Sequence, residues 1–405
     1  MANALLSPKV YARAGLKLLK NNLVAAKLVD GQFNNEFKKV GDTVYAKRPP
    51  EFVVRSGAVA VPQDVIEGEV PIVIDKQRGV DIQFTSIEET LTVDSLLKSR
   101  AMNAAMAQLA QEVDSSILQN FTTIPSWVGT PGQTVDSATD FMLAPQRLAN
   151  QAVPMDNLFA LLSPSDHYGL AGNFVNLNTQ EGIATNALRK AALPMIAGVD
   201  PYMTQSVVNL TTGSRTNGAV NGASQNTTYL ATKATYTQTL NVDGIGTTNT
   251  VAAGDVFTIA NVYAVNPRTK AALPYLQQFT TLEDRTASSG AIANLQISPP
   301  IIASGAFQNV SAAPADDAVL TWLGSASTTY RPSAAFHKTA IKLVSAKLIR
   351  PYSGEADFAH DPETGITVRY WRYSNGDADT HNHRWDVMFG TVNADRRLGV
   401  RLSGS

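Results

Sequence analysis

The chain has 405 residues, 44% of them hydrophobic, with 33 Lys plus Arg against 34 Asp plus Glu and no cysteine. That length exceeds what one core usually supports, so two or three structural units are expected. A formal net charge of −1 withholds the basic excess on which histone-like and repressor-like DNA binders depend, and the missing thiols exclude disulfides and thiolate metal centres, which suits a reducing compartment.

No apolar run approaches the ~18 residues of a membrane span. The start, MANALLSPKVYARAG, has no charged stretch followed by an apolar core, so no secretory leader is expected and a soluble cytoplasmic product is. Residues 8–29 read as a helix on which Arg13, Lys17 and Lys20 recur every three or four positions, with Leu16, Leu19, Leu23 and Ala26 as a separate apolar stripe. Such a basic amphipathic helix can bind anionic membrane or nucleic acid, form a solvated face, or dock on a partner.

Phe37–Val54 alternates like strands, with Gly41-Asp42 as a turn and Pro49-Pro50 as a break. From Glu51 to Glu69 the chain has Gly57, Pro62 and Gly68 and too little apolar bulk for its own core. An extended arm of that length is functional or laid on a neighbour. VPIVI at 70–74 and VDIQF at 80–84 suggest a strand pair flanking Asp75–Gly79.

Thr92 to Phe121 holds no Gly or Pro and is rich in Ala, Leu, Met and Gln, with Thr92 or Asp94 available as a cap. Some 27 residues of helix make a rod of roughly 40 Å. Val93, Leu96, Leu97, Ala101, Ala104 and Ala107 share one stripe, while Met102, Met106, Leu109, Val113 and Ile117 fall nearly opposite. That pattern fits a spine crossing between two packed layers, or an ordinary core helix.

Beyond it, Phe141–Gln151 suggests a short helix with Pro145 in its first turn, and LFALL at 158–162 a buried strand. Ser163 caps a helix with Pro164 at its first position, residues 181–193 suggest another helix, and Pro201 confines Gly198–Met203 to a sheet edge. Residues 206–254 carry almost no charge and abound in Thr, Asn, Ser, Gly and Ala. Asp243-Gly244 signals a hairpin after the alternating Thr235–Val242, and Asp255–Val265 is a strong strand before the turn Asn266-Pro267. Short strands follow at Thr280–Leu282, Ala291–Ile297 and Val319–Leu323, which together read as a small β-barrel or sandwich inserted at about 206–325. Ser333–Val344 suggests a helix-to-strand passage, Ile366–Arg372 and Arg384–Phe389 suggest alternating strands, and Arg397–Leu402 finishes the chain.

Candidate chemistry is sparse. His381-Asn382-His383, with His360, Asp361, Asp377 and Asp379 near it in sequence, permits a metal or nuclease reading, but a solvated turn between strands suits the polar setting better. Ser163, Ser165, Asp166 and His167 lie at a helix start without a Gly-x-Ser-x-Gly elbow, so they do not read as a triad. His337 has apolar neighbours; Asp316-Asp317 and Glu88-Glu89 are adjacent pairs that face apart; Gly244-Ile245-Gly246 lacks the rest of a phosphate loop. Trp371 and Tyr373 between Arg369 and Arg372 could stack on bases or form a strand with one packed face. No catalytic, cofactor-binding or metal-binding residue is assigned.

In order, the chain presents a basic helix, an extended arm, a strand pair, a spine helix, a Pro-marked α/β region, an inserted β-domain and a strand-rich end. With KKVGDTVYAKRPP at 38–50, the spine at 84–118, VPMDNLFALLSPSDHYGL at 153–170, GDVFTIANVYAVNPRTK at 254–270, AAFHKTAIKLVSAKLIRP at 334–351 and GITVRYWRYSNGDADTHNHRWDVMFG at 365–390, it resembles the major capsid proteins of tailed double-stranded DNA bacteriophages, specifically the short-tailed-phage coat proteins with an inserted β-barrel. The resemblance implies an α+β capsid fold divided into an N-terminal arm (1–36), an extended loop with flanking strands (37–83), spine and peripheral/axial α/β region (84–205), inserted β-barrel (206–325) and C-terminal completion (326–405). It further implies no enzymatic activity and self-assembly, as hexamers and pentamers, into an icosahedral shell around double-stranded DNA held without sequence specificity. A scaffolding protein and a portal are the implied partners, with assembly in the host cytoplasm and residence in the virion. An adhesive or tail protein that binds a surface carbohydrate is the alternative, although the tyrosines Tyr229, Tyr236, Tyr263 and Tyr275 form no cluster in sequence.

Overall fold

The computed structural model describes residues 8–31, 43–60, 62–91, 100–176 and 190–405. The chain forms two compact units, one of Met1–Tyr45, Pro71–Ile117 and Ile341–Asn393, the other of Ala46–Val70, Leu118–Ala340 and Ala394–Ser405. Helices and sheets both contribute, as the α+β expectation requires.

In the first unit the strand Thr380–Asn393 is the axis of an antiparallel sheet. One edge pairs with Thr367–Asn375, which in turn pairs with Glu355–His360. The same edge pairs with Ile341–Ser345 along 389–393, and the other edge with Lys76–Thr85 along 380–389. The strand pair expected between 70–74 and 80–84 does not form, because Lys76–Gly79 is strand rather than turn. Gly68–Ile72 pairs instead with Val44–Arg48. Gly79 permits the long pairing: a Cβ there would lie 2.8 Å from the Trp385 carbonyl oxygen.

The helix Pro8–Asn22 packs Ala12, Gly15 and Leu19 inward. Gly15 is required, since a Cβ would come 2.7 Å from Trp385 Nε1. Trp385 and Tyr370, both fully buried, sit beneath this helix, with Tyr11 stacked on Tyr370 at 5.2 Å. The long helix is described from Arg100 to Leu118 and continues as a 3₁₀ turn, Gln119–Thr123; its expected start at 92–99 lies outside the described residues, as do Gly41-Asp42 and most of the helix expected at 181–193. The described part has one buried face. Met102, Met106, Leu109, Val113 and Ile117 are buried, but Ala101, Ala104 and Ala107 are exposed. Of the two-sided pattern, the alanine stripe buries too little area to compel a second layer.

In the second unit, a five-stranded sheet runs Trp127–Val128, Gly399–Leu402, Ser333–His337, Leu158–Leu162, Val199–Met203. Val199–Met203 is at the edge, where Pro201 removes no ladder bond that a further strand would need. The expected helix near 333 is strand because Ser333–His337 is buried throughout between two strands, and a continuous apolar run has no period to distinguish it from helix. A 3₁₀ turn, Lys338–Ala340, joins it to Ile341–Ser345. Helix Pro164–Asn176 begins after Ser163, whose Oγ accepts from Asp166 N at 3.2 Å. Helix Ala138–Asn150 starts earlier than expected, because Ser137 caps it by accepting from Asp140 N at 3.0 Å. Pro145 is therefore interior and buried, not in the first turn. Phe141, Ala144, Leu148 and Leu170 join the sheet in one core.

A second sheet in this unit orders Leu320–Trp322, Val256–Val265, Ala272–Thr281, Ile292–Ser298, Gln238–Asp243 and Ala219–Val220. The bridge Ala219↔Val319 brings its ends together, so the sheet closes as a barrel around Leu240, Phe257, Ile259, Phe279, Leu295 and Ile297. Two details differ from expectation. The strand expected at Thr280–Leu282 begins at Ala272, and Gly244, though at φ +69, does not join neighbouring strands: Gln238–Asp243 pairs with Ile292–Ser298 and Ala219–Val220.

Candidate functional site

The most open stretch is the arm. Residues 51–60 and 62–67 have no helix or strand and are mostly exposed, with Phe52 at 53%, Val54 at 95%, Val59 at 79% and Val65 at 66%. The arm nevertheless has an internal clasp: the Gln63 amide accepts from Val53 N at 2.9 Å and donates to Val53 O at 2.6 Å.

Its root is fixed by half-buried charge. Glu51 binds Arg397 Nη1 at 2.5 Å and Lys270 Nζ at 3.4 Å, and Arg397 also binds Asp395 at 2.7 Å. The Arg48 and Arg397 guanidinium groups lie over the Tyr236 ring at 5.0 and 5.5 Å. Despite burial, Asp395 is held below the usual carboxylate range, through Arg397 and its hydrogen bonds. Burial pushes the Tyr236 hydroxyl up. Sequence reading missed this root; its signal was an isolated Glu after Pro49-Pro50.

The residues with chemical potential are engaged elsewhere. His381 and His383 lie within strand Thr380–Asn393, not in a solvated turn, because the pairing with Thr367–Asn375 extends to Asn375↔Thr380. His381 bridges Ser374 Oγ at 3.0 Å and Ser86 Oγ at 3.2 Å, and Ser86 donates to Asp379 at 2.6 Å. His383 is buried, its Nδ1 2.7 Å from Tyr370 Oη. His360 meets Thr367 at 3.0 Å, Asp361 takes Lys20 and Thr364, and Asp377 N donates to Asn375. Among the described residues no group of three His, Asp or Glu could hold a metal ion.

At the 163–167 helix start, Asp166 accepts from Ser163 Oγ, Ser333 Oγ and Val135 N, while His167 Nε2 meets the Ala191 carbonyl at 2.8 Å. Serine and histidine thus turn to different partners. His337 bonds Thr339 at 2.8 Å, and Asp316 accepts from Gly222 N at 2.7 Å. Glu88 forms a capping box: its carboxylate accepts from Thr85 N at 3.0 Å while its own N–H donates to Thr85 Oγ1, and that backbone bond holds its pKa below the ordinary value. Trp371 and Tyr373 are half-buried, 4.5 Å apart; Arg369 and Arg384 share Asp386, and Arg372 pairs with Glu355. Those arginines are already neutralised, which leaves a packed strand rather than a base-stacking face.

The family model described as "P22 coat protein - gene protein 5" matches residues 16–404. The chain belongs to the P22 coat protein family. It is a phage major capsid protein, a component of the virion's head shell. It is similar to the major capsid protein of Acyrthosiphon pisum secondary endosymbiont phage 1, with 21% identity over 401 residues, 94% of this chain and 93% of that one. Among solved structures it is similar to that of Mycobacterium phage Che8, at TM-score 0.48 and 12% identity, covering 95% of this chain and 92% of that chain. It is also similar to the capsid of Myoviridae phage XM1, at TM-score 0.39 and 10% identity, covering 96% and 92%. The carbohydrate-binding alternative gains nothing from these relatives. No helix among the described residues is long and apolar enough to cross a membrane.

Proposed function

We propose that this coat protein assembles with copies of itself, as hexamers and pentamers, into an icosahedral shell around double-stranded DNA that it does not read by sequence. A scaffolding protein and a portal are the partners in that assembly, and the chain carries no enzymatic activity. The proposed division is an N-terminal arm to residue 36, an extended loop at 37–83, a spine and α/β region at 84–205, a β-barrel inserted at 206–325 and a completing segment from 326. The single observation that carries the arm's role is its exposure on an anchored root: valines in water beside Glu51 locked to Arg397 and Lys270. An extended segment without a core becomes ordered by lying on a neighbour's surface.

The test is deletion of Gly57–Glu67 with a short Gly-Ser join. Most described side chains of that segment are exposed, although Ile66 packs against Tyr229, Tyr236 and Ile302, so the subunit is expected to remain soluble and folded but to form no closed shells by negative-stain electron microscopy. Normal particles from the deletion would refute the arm's role.

A further inference from the structure

The solvent face of helix Pro8–Asn22 carries Lys9, Arg13 and Lys17, all exposed. Spaced by four residues, they recur about every 6 Å and span about 12 Å. With Leu16, Phe358 and His360 they line a groove of ≈350 Å³. Among the described residues none of the three cations has an ion-pair partner within 4 Å, whereas the acids of the adjoining strand and turn are all taken. Glu355 pairs with Arg372, Asp357 with Arg350, and Asp361 and Glu363 both with Lys20. Three positive charges are left unmatched on a chain whose net charge is −1.

We propose that this row binds the phosphate backbone of double-stranded DNA, weakly and without regard to sequence. Its 12 Å length matches the axial span of roughly three to four phosphates on one strand. No amide or hydroxyl side chain lines the groove to read a base edge. A protein partner would anchor on exposed apolar side chains, but Leu16 and Phe358 are already half-buried and Ala359 buried. Three phosphate contacts per subunit give feeble binding alone, and many copies facing one duplex multiply it. The inference rests on the shell reading only for the presence of duplex DNA.

The test is fluorescence anisotropy of the full chain with a labelled mixed-sequence duplex of about 20 bp, between roughly 20 and 200 mM salt. The expected slope of log affinity against log salt is about −2.7, the same for two unrelated sequences, since each phosphate contact contributes about −0.9. The K9Q/R13Q/K17Q variant should bring the slope close to zero and lose at least about tenfold in affinity at low salt. Single variants should each reduce the slope by about 0.9, and they decide the matter if the triple variant fails to fold. Binding unchanged in the variants, no DNA binding at all, or preference for poly-glutamate over DNA would each overturn the proposal. The variants should still form shells, so loss of DNA affinity and failure of assembly are read separately.

Discussion

Asp114 offers the sharpest test of the first unit. It lies on the buried face of the long helix, 2% exposed, and its carboxylate accepts from Val24 N at 2.8 Å and Ala26 N at 3.1 Å, fixing the turn after the first helix. Burial pushes its pKa from the ordinary 3.8 up to about 6, against the pull of those N–H groups. A raised carboxyl pKa means the folded state holds a proton that the unfolded chain has released. Stability from this group is therefore greatest below pH 3.8 and is lost as pH rises through 6. At about 1.36 kcal/mol per pH unit the loss is about 3 kcal/mol. Asp114→Asn keeps an acceptor for the turn and does not titrate. Urea unfolding of wild type and variant at matched pH from 3 to 8 should give a difference that moves by about 3 kcal/mol in the variant's favour, mostly between pH 4 and 6. Subtracting the two curves removes the opposite trends of carboxylates with lowered pKa, such as Asp361 and Asp395. A flat difference curve, or one that moves the other way, would show that burial does not govern this carboxyl.

Two further expectations concern the second unit. Arg401, 1% exposed, donates to the carbonyls of Ile124, Gly254 and Thr122 and to Thr280 Oγ1, and burial pushes its pKa down to about 9. Arg401→Met leaves three carbonyls without this donor, at roughly 1–3 kcal/mol each, partly offset by no longer burying a cation. A net loss of about 3 kcal/mol should appear as a lower urea midpoint, and an unchanged midpoint would contradict it. Gly129 has φ +79, and a Cβ there would clash with the Ser403 and Gly404 carbonyls. Gly129→Ala should cost at least about 2 kcal/mol by thermal unfolding, whereas Gly172→Ala, with open space around it, should not destabilise.

Local pattern was the legible part of this fold. Alternation marked 366–372 and 384–389, the Ser163-Pro164 start marked its helix, and Pro201 marked a sheet edge, because each of those signals acts over a few residues. Partner choice was not legible. The partner of Lys76–Thr85 is some 300 residues away in Thr380–Asn393, and nothing in a ten-residue window encodes that register. Gly399–Leu402 is buried throughout, and the carbonyls that surround Arg401 explain a guanidinium there. Asp114 likewise is explained by the distant turn whose N–H groups it accepts from.

The polar clusters that invite a catalytic reading are tied into local structure. His381, His383, His337 and Asp166 each meet hydroxyl or backbone groups that complete local structure. In a coat protein the uncommitted groups lie elsewhere. The arm leaves apolar side chains in water, and the first helix leaves three cations without an ion-pair partner among the described residues. The two surfaces differ in range. Apolar contact acts only once a neighbour has arrived, whereas charge acts over about a Debye length, roughly 10 Å at 0.1 M salt. That difference in range supports the two proposals, the arm for contact between subunits and the basic row for a loose, reversible hold on a polyanion at an affinity that salt sets.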